Sequence, residues 1–342
     1  MNKVEVIAEI GKNFVDTEEE QPESELLVKA KKLIQAAKAS GADTAKFQVH
    51  NVDDEIHPDA KIISPHFDQD RYKWVKRNTY SVDFWHNIRD FCRQVNIDFL
   101  ATPMSRGAAQ ILDEVGVDRW KIGSGDILDF VLLDYVRDSG KPVIMSSGMS
   151  SIEEVRLAYE YLREKTEDVT ILHCVSIYPC PNDKLNLGTI PYLKKQFPEA
   201  TIGFSDHSGN GFAGEFAVRL GAEVVEKHFT FGMGLWGPDH KSSSLPDVFA
   251  GYVRRIRKGT GVDIPSDVLG DETKYLQHEE EGFRPIFQKG LFASRDIKKG
   301  EIFEPDMILA MRPKQGGARR AVAYVDVLGA TTNVPIKKHE II

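Results

Sequence analysis

Two lysines, Lys46 and Lys121, stand inside otherwise apolar runs, Ala45-Lys46-Phe47 and Trp120-Lys121-Ile122. An unpaired ammonium group in such a setting is expensive to bury, so each implies an anionic ligand or, failing that, a neighbouring carboxylate. Hydroxyls recur at similar places, the ends of short β-branched runs: Thr102, Ser124, Ser176 and Ser205. Two ammonium groups with several hydroxyls suit a compound that carries both phosphate and carboxylate. Ser124-Gly125 and Ser147-Gly148 are small enough for backbone N–H groups to reach its oxygens. His207 and His228 end two successive runs. Neighbouring parallel strands lie about 4.8 Å apart, so the two imidazoles could share one divalent ion whose other positions stay open to substrate and water. His173 either joins them or stands behind them. Asp206 either orients the His207 ring or caps the helix that follows. Glu9, Gln48, Asp126 and Tyr178 complete the polar residues at run ends.

The elements that must position these groups follow from periodicity. Eight short runs read as strands: Val4–Ile10, Thr44–Val49, Ile97–Thr102, Asp118–Ile122, Pro142–Ser147, Val169–Val175, Thr201–Ser205 and Glu223–Phe229. Helical patterns follow them near 24–39, 81–95, 105–115, 128–138, 150–164, 187–197, 209–220 and 246–258. In the first, Leu26, Leu27, Ala30, Leu33, Ile34 and Ala37 share one face. Ser150 with Glu153, or Ser151 with Glu154, offers a capping box to the fifth. Eight strand–helix units within about 250 residues predict a (β/α)8 TIM barrel, whose chemistry belongs at the C-terminal strand ends. The turn after the first strand, Gly11-Lys12-Asn13, is not the glycine-rich turn of a doubly wound sheet.

Boundaries are expected at 1–260 for the barrel, 261–286 for a polar linker and 287–342 for a small β-rich module. In that module Asp296-Ile297-Lys298-Lys299-Gly300-Glu301-Ile302-Phe303 recurs approximately as Pro335-Ile336-Lys337-Lys338-His339-Glu340-Ile341-Ile342. So small a unit is marginal alone and should dock on something. Met104, Met149 and Met233 read as packing, and Lys73, Trp74, Lys76 and Arg77 as a solvated surface more than a loop over the site. A hydrophobic content of 41% with 28% charged residues excludes a largely disordered chain. The net charge of −8 disfavours nucleic acid as a partner, and no apolar run is long enough to span a membrane. Three cysteines without a CxxC pattern or a disulfide framework fit a reducing cytoplasmic setting.

At these same residues the chain resembles the sialic acid (N-acetylneuraminate) synthase family, with a spore-coat polysaccharide branch fitting about as well. The resemblance runs through Ala8-Glu9-Ile10-Gly11-Lys12-Asn13, Ala45-Lys46-Phe47-Gln48, Ala101-Thr102-Pro103-Met104-Ser105 and Lys121-Ile122-Gly123-Ser124-Gly125-Asp126. It continues through Leu172-His173-Cys174-Val175-Ser176-Ile177-Tyr178-Pro179, Gly203-Phe204-Ser205-Asp206-His207-Ser208, Glu226-Lys227-His228-Phe229-Thr230 and Gly237-Pro238-Asp239-His240. The last segment, with Met311-Arg312-Pro313, is similar to the family's antifreeze-like (SAF) domain. The resemblance implies a metal-dependent condensation of phosphoenolpyruvate with an N-acetylated amino sugar, giving a nonulosonic acid and phosphate. It implies Mn2+, or Mg2+ or Co2+, on His207 and His228. Phosphoenolpyruvate would meet Lys46, Thr102, Lys121, Ser124, Ser176 and Ser205; the sugar would meet Glu9, Gln48, Tyr178 and Asp239. Glu9 or Asp126 would handle protons. Arg312 would enter the site of the other subunit of a homodimer.

The chain departs from the family pattern at Phe14-Val15-Asp16 (often His-Asn-Gly), at Asp126 (commonly Glu), at Ser176 (Asn in several members) and in Arg312-Pro313-Lys314-Gln315-Gly316-Gly317, which lacks the usual glycine after proline. These differences bear on the acceptor sugar more than on phosphoenolpyruvate. Three rivals stay open. A synthase acting on a phosphorylated sugar would need a second cationic pocket, which the sequence does not reveal. A Schiff-base aldolase would use Lys46 or Lys121 on pyruvate. A carbohydrate-binding protein would rely on the C-terminal module.

Overall fold

The computed structural model describes residues 3–60, 63–64, 67–313 and 317–342; Lys314, Gln315 and Gly316 of the departing segment lie outside the described residues. Eight parallel strands form one sheet: β1 (Glu5–Gly11), β2 (Thr44–Val49), β3 (Asp98–Pro103), β4 (Trp120–Ile122), β5 (Val143–Ser146), β6 (Val169–Cys174), β7 (Thr201–Asp206) and β8 (Val224–His228). Their order is β3-β2-β1-β8-β7-β6-β5-β4, and the two end strands pack beside each other to close the ring. Eight long helices, from Glu23–Ala39 to Pro246–Lys258, surround it as the periodicity predicts. Local chemistry sets their ends. Ser151 and Glu154 make a reciprocal capping box at the start of Ile152–Arg163, and Gly116 ends Arg106–Val115 at φ 86°, which only glycine adopts without cost.

Inside the ring the strand period of two does the positioning. Ile7, Leu100, Ile144, Leu172 and Val224 form an apolar plug of their own, separate from the core between sheet and helices. Two residues further along the same strands, the inward positions turn polar: Glu9, Thr102, Ser146, Cys174 and Glu226. The sequence thus sets a dry floor with one ionisable layer above it.

Two connecting regions differ from expectation. The crossover after β2 folds into a short helix Val52–Glu55, an antiparallel pair 63–64 with 67–70, and a helix Arg71–Arg77. The 261–286 segment is also structured. It carries helices Ser266–Leu269 and His278–Phe287, and is tied to the barrel through Leu187 N–H to Val268 O (3.1 Å) and Gly188 N–H to Leu269 O (2.7 Å). Its polar composition hid side chains that fix it, Glu280 (1% exposed) among them.

In the C-terminal module β9 (Gly290–Ala293) pairs antiparallel with β10 (Ile308–Met311). The two related turns are built alike: Glu301 accepts from the Lys298 N–H and Glu340 from the Lys337 N–H, both at 2.7 Å. Ile297 and Ile336 bridge the two copies. Among the described residues no helix is long and apolar enough to cross a membrane.

Candidate active site

A cavity of about 190 Å³ opens at the C-terminal ends of the barrel strands, and all fourteen side chains singled out from the sequence line it. Glu9 comes from β1, Lys46 and Gln48 from β2, Thr102 from β3 and Lys121 from β4. Ser124 and Asp126 follow β4, and Ser176 and Tyr178 follow β6. Ser205 lies one residue before the end of β7; His207 follows β7 directly and His228 ends β8. Asp239 lies in the loop after β8, and Arg312 just past β10.

The lysines are not left without carboxylates. Lys46 Nζ lies 2.9 Å from Glu9 Oε2 and 3.3 Å from Glu226 Oε1, and Lys121 Nζ lies 3.9 Å from Glu226 Oε2. Lys121 also donates to Ser146 Oγ at 2.6 Å. Of the two partners the sequence left open for these amines, the structure shows the neighbouring carboxylate: two ammonium groups share Glu226, with Glu9 beside them. Burial pushes the Glu226 carboxyl up, but Lys121 and Lys46 outweigh it and hold it at about 2. Burial also raises Glu9, and there it wins over Lys46, assisted by the Glu226 charge.

The His207 and His228 rings lie side by side, centroids 5.6 Å apart. His207 Nδ1 donates to the Val175 carbonyl at 2.8 Å, so Nε2 is left as the lone-pair nitrogen, 3.0 Å from Tyr178 Oη. That is the tautomer a metal ligand needs. His228 Nδ1 is buried and has no hydrogen-bond partner among the described residues, and burial lowers this ring to about 4, so it is neutral. The pair fits an open two-nitrogen site. Among the described residues no group of three His, Cys, Asp or Glu is arranged for a metal, so other ligands would have to come from substrate or water. His173 stands behind, its Nε2 donating to Leu185 O at 2.8 Å. Asp206 does not touch the His207 ring: it accepts from Ser208 N–H, and from Lys227 and Tyr252 at 2.7 Å each.

Arg312 is fully buried and lines the cavity of the same chain. Its guanidinium bonds Asp126 and lies 3.2 Å from Glu55 Oε1, while its backbone N–H donates to Glu55 O at 2.8 Å. Helix His278–Phe287 folds the chain back over the barrel mouth, which brings the module down in cis. Lys289 adds a second cation to Asp126 at 2.9 Å. Burial raises Asp126, but Arg312 and Lys289 hold it below the ordinary carboxylate range.

Several lining residues escaped the sequence reading. Glu226 occupies the inward position between Val224 and His228, so the strand period alone could have marked it. Lys12, His50, Arg71, Trp74 and Phe287 also face the cavity, as do Met104 and Met149. Trp74 packs edge-on against Trp236, and Arg77 stacks on Trp236 at 4.7 Å, so Trp74 is part of the wall of the site, while Lys73 and Lys76 face solvent as expected. Glu280, from the supposed linker, accepts from the N–H of Met149 (2.9 Å) and of Ser176 (2.8 Å). No sequence signal marked it.

Fold and cavity together define a (β/α)8 protein with a polar, strand-end active-site pocket capped by a small β module. The chain belongs to the NeuB family: residues 33–262 match that family, and residues 288–342 match the SAF domain. It is 32% identical over 353 residues to the N,N'-diacetyllegionaminic acid synthase of Campylobacter jejuni, covering 100% of this chain and 99% of that protein. It is 34% identical over 294 residues to the spore coat polysaccharide biosynthesis protein SpsE of Bacillus subtilis, covering 83% and 79%. The crystal structure of SpsE superimposes with a TM-score of 0.80 at 31% identity, covering 99% of this chain and 94% of that one.

Proposed function

We propose that this protein condenses phosphoenolpyruvate with an N-acetylated amino sugar, N-acetylmannosamine or a related one, to give a nonulosonic acid and inorganic phosphate. The observation that carries the reading is the cavity itself. A floor of two lysines sharing one carboxylate, ringed by Thr102, Ser124, Ser146 and Ser205, faces the paired His207 and His228 imidazoles. Family membership and the activity named for the Campylobacter relative point the same way.

Lys46 and Lys121 would exchange part of their pairing with Glu226 for phosphate and carboxylate oxygens, so the cations are in place before substrate arrives. Carbon 3 of the enolpyruvyl group then bonds to the aldehyde carbon of the open-chain sugar. The oxygen of a water bonds to carbon 2, and the bond from carbon 2 to the phosphate oxygen breaks, releasing phosphate. Glu9, raised by burial, is suited to hold the proton that the new hydroxyl needs. Asp126 is committed to Arg312 and Lys289, which favours Glu9 over it for that task. A divalent ion, Mn2+ or a similar one, held by His207 and His228 would supply Lewis-acid polarisation of the aldehyde oxygen. The Schiff-base alternative needs a neutral lysine; burial lowers Lys46, but Glu226 and Glu9 more than reverse it, which weighs against that residue.

The test is phosphate release from phosphoenolpyruvate with a panel of N-acetyl sugars, with chelator and after metal is restored. Release is expected with at least one N-acetyl sugar, lost with chelator and recovered with Mn2+. Full activity in a His207→Ala/His228→Ala double variant, or borohydride trapping of pyruvate on the protein, would overturn the proposal.

A further inference from the structure

Condensation consumes an aldehyde, yet an N-acetylated amino sugar rests as a cyclic hemiacetal in which that aldehyde is masked. Opening the ring takes a base at the anomeric hydroxyl and an acid at the ring oxygen. None of the residues assigned above has this task. Two buried side chains that line the same cavity, His50 and Lys12, have no part in the condensation itself.

His50 directly follows β2. Its Nδ1 lies 2.6 Å from Glu55 Oε2, and Glu55 is also paired with Arg312 at 3.2 Å. A carboxylate so placed draws the imidazole hydrogen to Nδ1, which leaves Nε2 as the lone-pair nitrogen. Burial, with Lys12 and Arg71, holds the ring below its ordinary range against the pull of Glu55, so it is a free base at neutral pH. Nε2 lies 3.4 Å from Lys12 Nζ. Burial lowers Lys12 too, while Asp239, Glu55 and Glu9 restrain the fall. An ammonium group that parts more readily with its proton thus stands beside the base.

The pair also stands close to where the aldehyde would react. Lys12 donates to Gln48 Oε1, and Gln48 Nε2 donates to Glu9 Oε1 at 2.9 Å. A single amide therefore separates Lys12 from the carboxyl suited to protonate the new hydroxyl. β1 and β2 shift register between Glu9 and Gly11. An irregularity of this kind bends a strand end and re-aims the side chains there, and here Lys12 comes to Gln48.

Resting on the proposed condensation, we propose that His50 and Lys12 open the ring of the acceptor sugar, so that the protein makes the aldehyde it consumes. His50 Nε2 takes the proton of the anomeric hydroxyl, and the electrons of that O–H bond form the carbonyl double bond. The bond from the anomeric carbon to the ring oxygen breaks. Its electron pair stays on the ring oxygen, which takes a proton from Lys12 Nζ. Nothing is oxidised or reduced. Glu55 steadies the imidazolium, and the proton then returns across the short gap from Nε2 to Nζ, which restores both groups.

The test is polarimetry. Freshly dissolved crystalline N-acetylmannosamine, and each other sugar of the N-acetyl panel, is followed to its anomeric equilibrium with the metal-loaded full-length protein. Phosphoenolpyruvate is left out, so condensation plays no part. Any sugar that supports phosphate release should equilibrate about tenfold faster or more with the protein than without it. His50→Asn keeps an N–H for Glu55 and loses the base, and Lys12→Met loses the acid. Each should remove most of the acceleration, and His50→Asn should leave the melting temperature nearly unchanged. Full acceleration in either variant would overturn the proposal, as would a sugar that releases phosphate yet equilibrates no faster with the protein. If no sugar of the panel releases phosphate, acceleration that depends on His50 retains the ring opening while the condensation fails. No acceleration with any sugar removes the ring opening.

Discussion

Glu226 stands between two buried ammonium groups, and its role decides how the floor of the cavity works. In the absence of substrate it is the counter-charge that makes Lys46 and Lys121 tolerable inside the barrel. Removing one member of a buried ion pair leaves the others uncompensated, at a cost of about 3–5 kcal/mol. Glu226→Gln should therefore lower the thermal stability of the free protein. Phosphoenolpyruvate should then restore more stability to the variant than to the unaltered protein, because it supplies the missing negative charge. Thermal denaturation with and without phosphoenolpyruvate measures both. Equal ligand-induced shifts in the two proteins would mean that the anion does not bind at these lysines. The lysines were conspicuous in the sequence because charge inside an apolar run is rare. Their carboxylate was less so, since Glu226-Lys227-His228 reads as a polar strand end until the inward period from Val224 is followed.

At the scale of elements, the eight strands and eight helices were legible to within a few residues, because each unit buries a face whose period is either two or 3.6. What stayed hidden were elements whose reason lies elsewhere in the chain. Helix Arg71–Arg77 is two turns long, lies in a crossover outside the strand–helix repeat, and matters for the side chains it turns into the cavity. Helix His278–Phe287 looks like a polar tether because polar side chains, Glu280 and Arg284, anchor it. Glu280 satisfies the backbone N–H groups of Met149 and Ser176, which otherwise would be buried donors without partners. Glu280→Ala should cost about 1–3 kcal/mol in stability. It should also raise the KM for phosphoenolpyruvate, by loosening the loop that carries Ser176. Glu280→Gln keeps an acceptor oxygen and should recover most of both losses. Steady-state kinetics paired with urea unfolding distinguishes this from a purely structural role, in which stability falls and the KM does not move.

For the whole molecule, the decisive feature is where the C-terminal module puts Arg312. The sequence resemblance implies an arginine delivered to the other subunit of a homodimer, and in the single chain Arg312 lines the cavity of the barrel to which it is joined. The docking is specific: Arg312 is fully buried between Glu55 and Asp126, and its backbone pairs with Glu55 and His57 on both sides. Lys289, at the hinge between helix and module, bonds Asp126, Asp129 and the Met104 carbonyl, which sets the direction in which the module leaves the barrel. A module anchored at its root to its own barrel should complete its own site. This leads to a complementation experiment with two inactive variants, Lys121→Ala and Arg312→Ala, unfolded together and refolded as a mixture. With docking in cis, each chain carries one damaged site, and the mixture stays as inactive as its components. With docking across a two-fold axis, mixed dimers would contain one site with both residues intact, and activity would return to about a quarter of the unaltered level, since half the dimers are mixed and each has one sound site of two. Recovery of activity on mixing would therefore show that the arm is exchanged between subunits, with the same contacts to Glu55 and Asp126 made on the neighbouring chain.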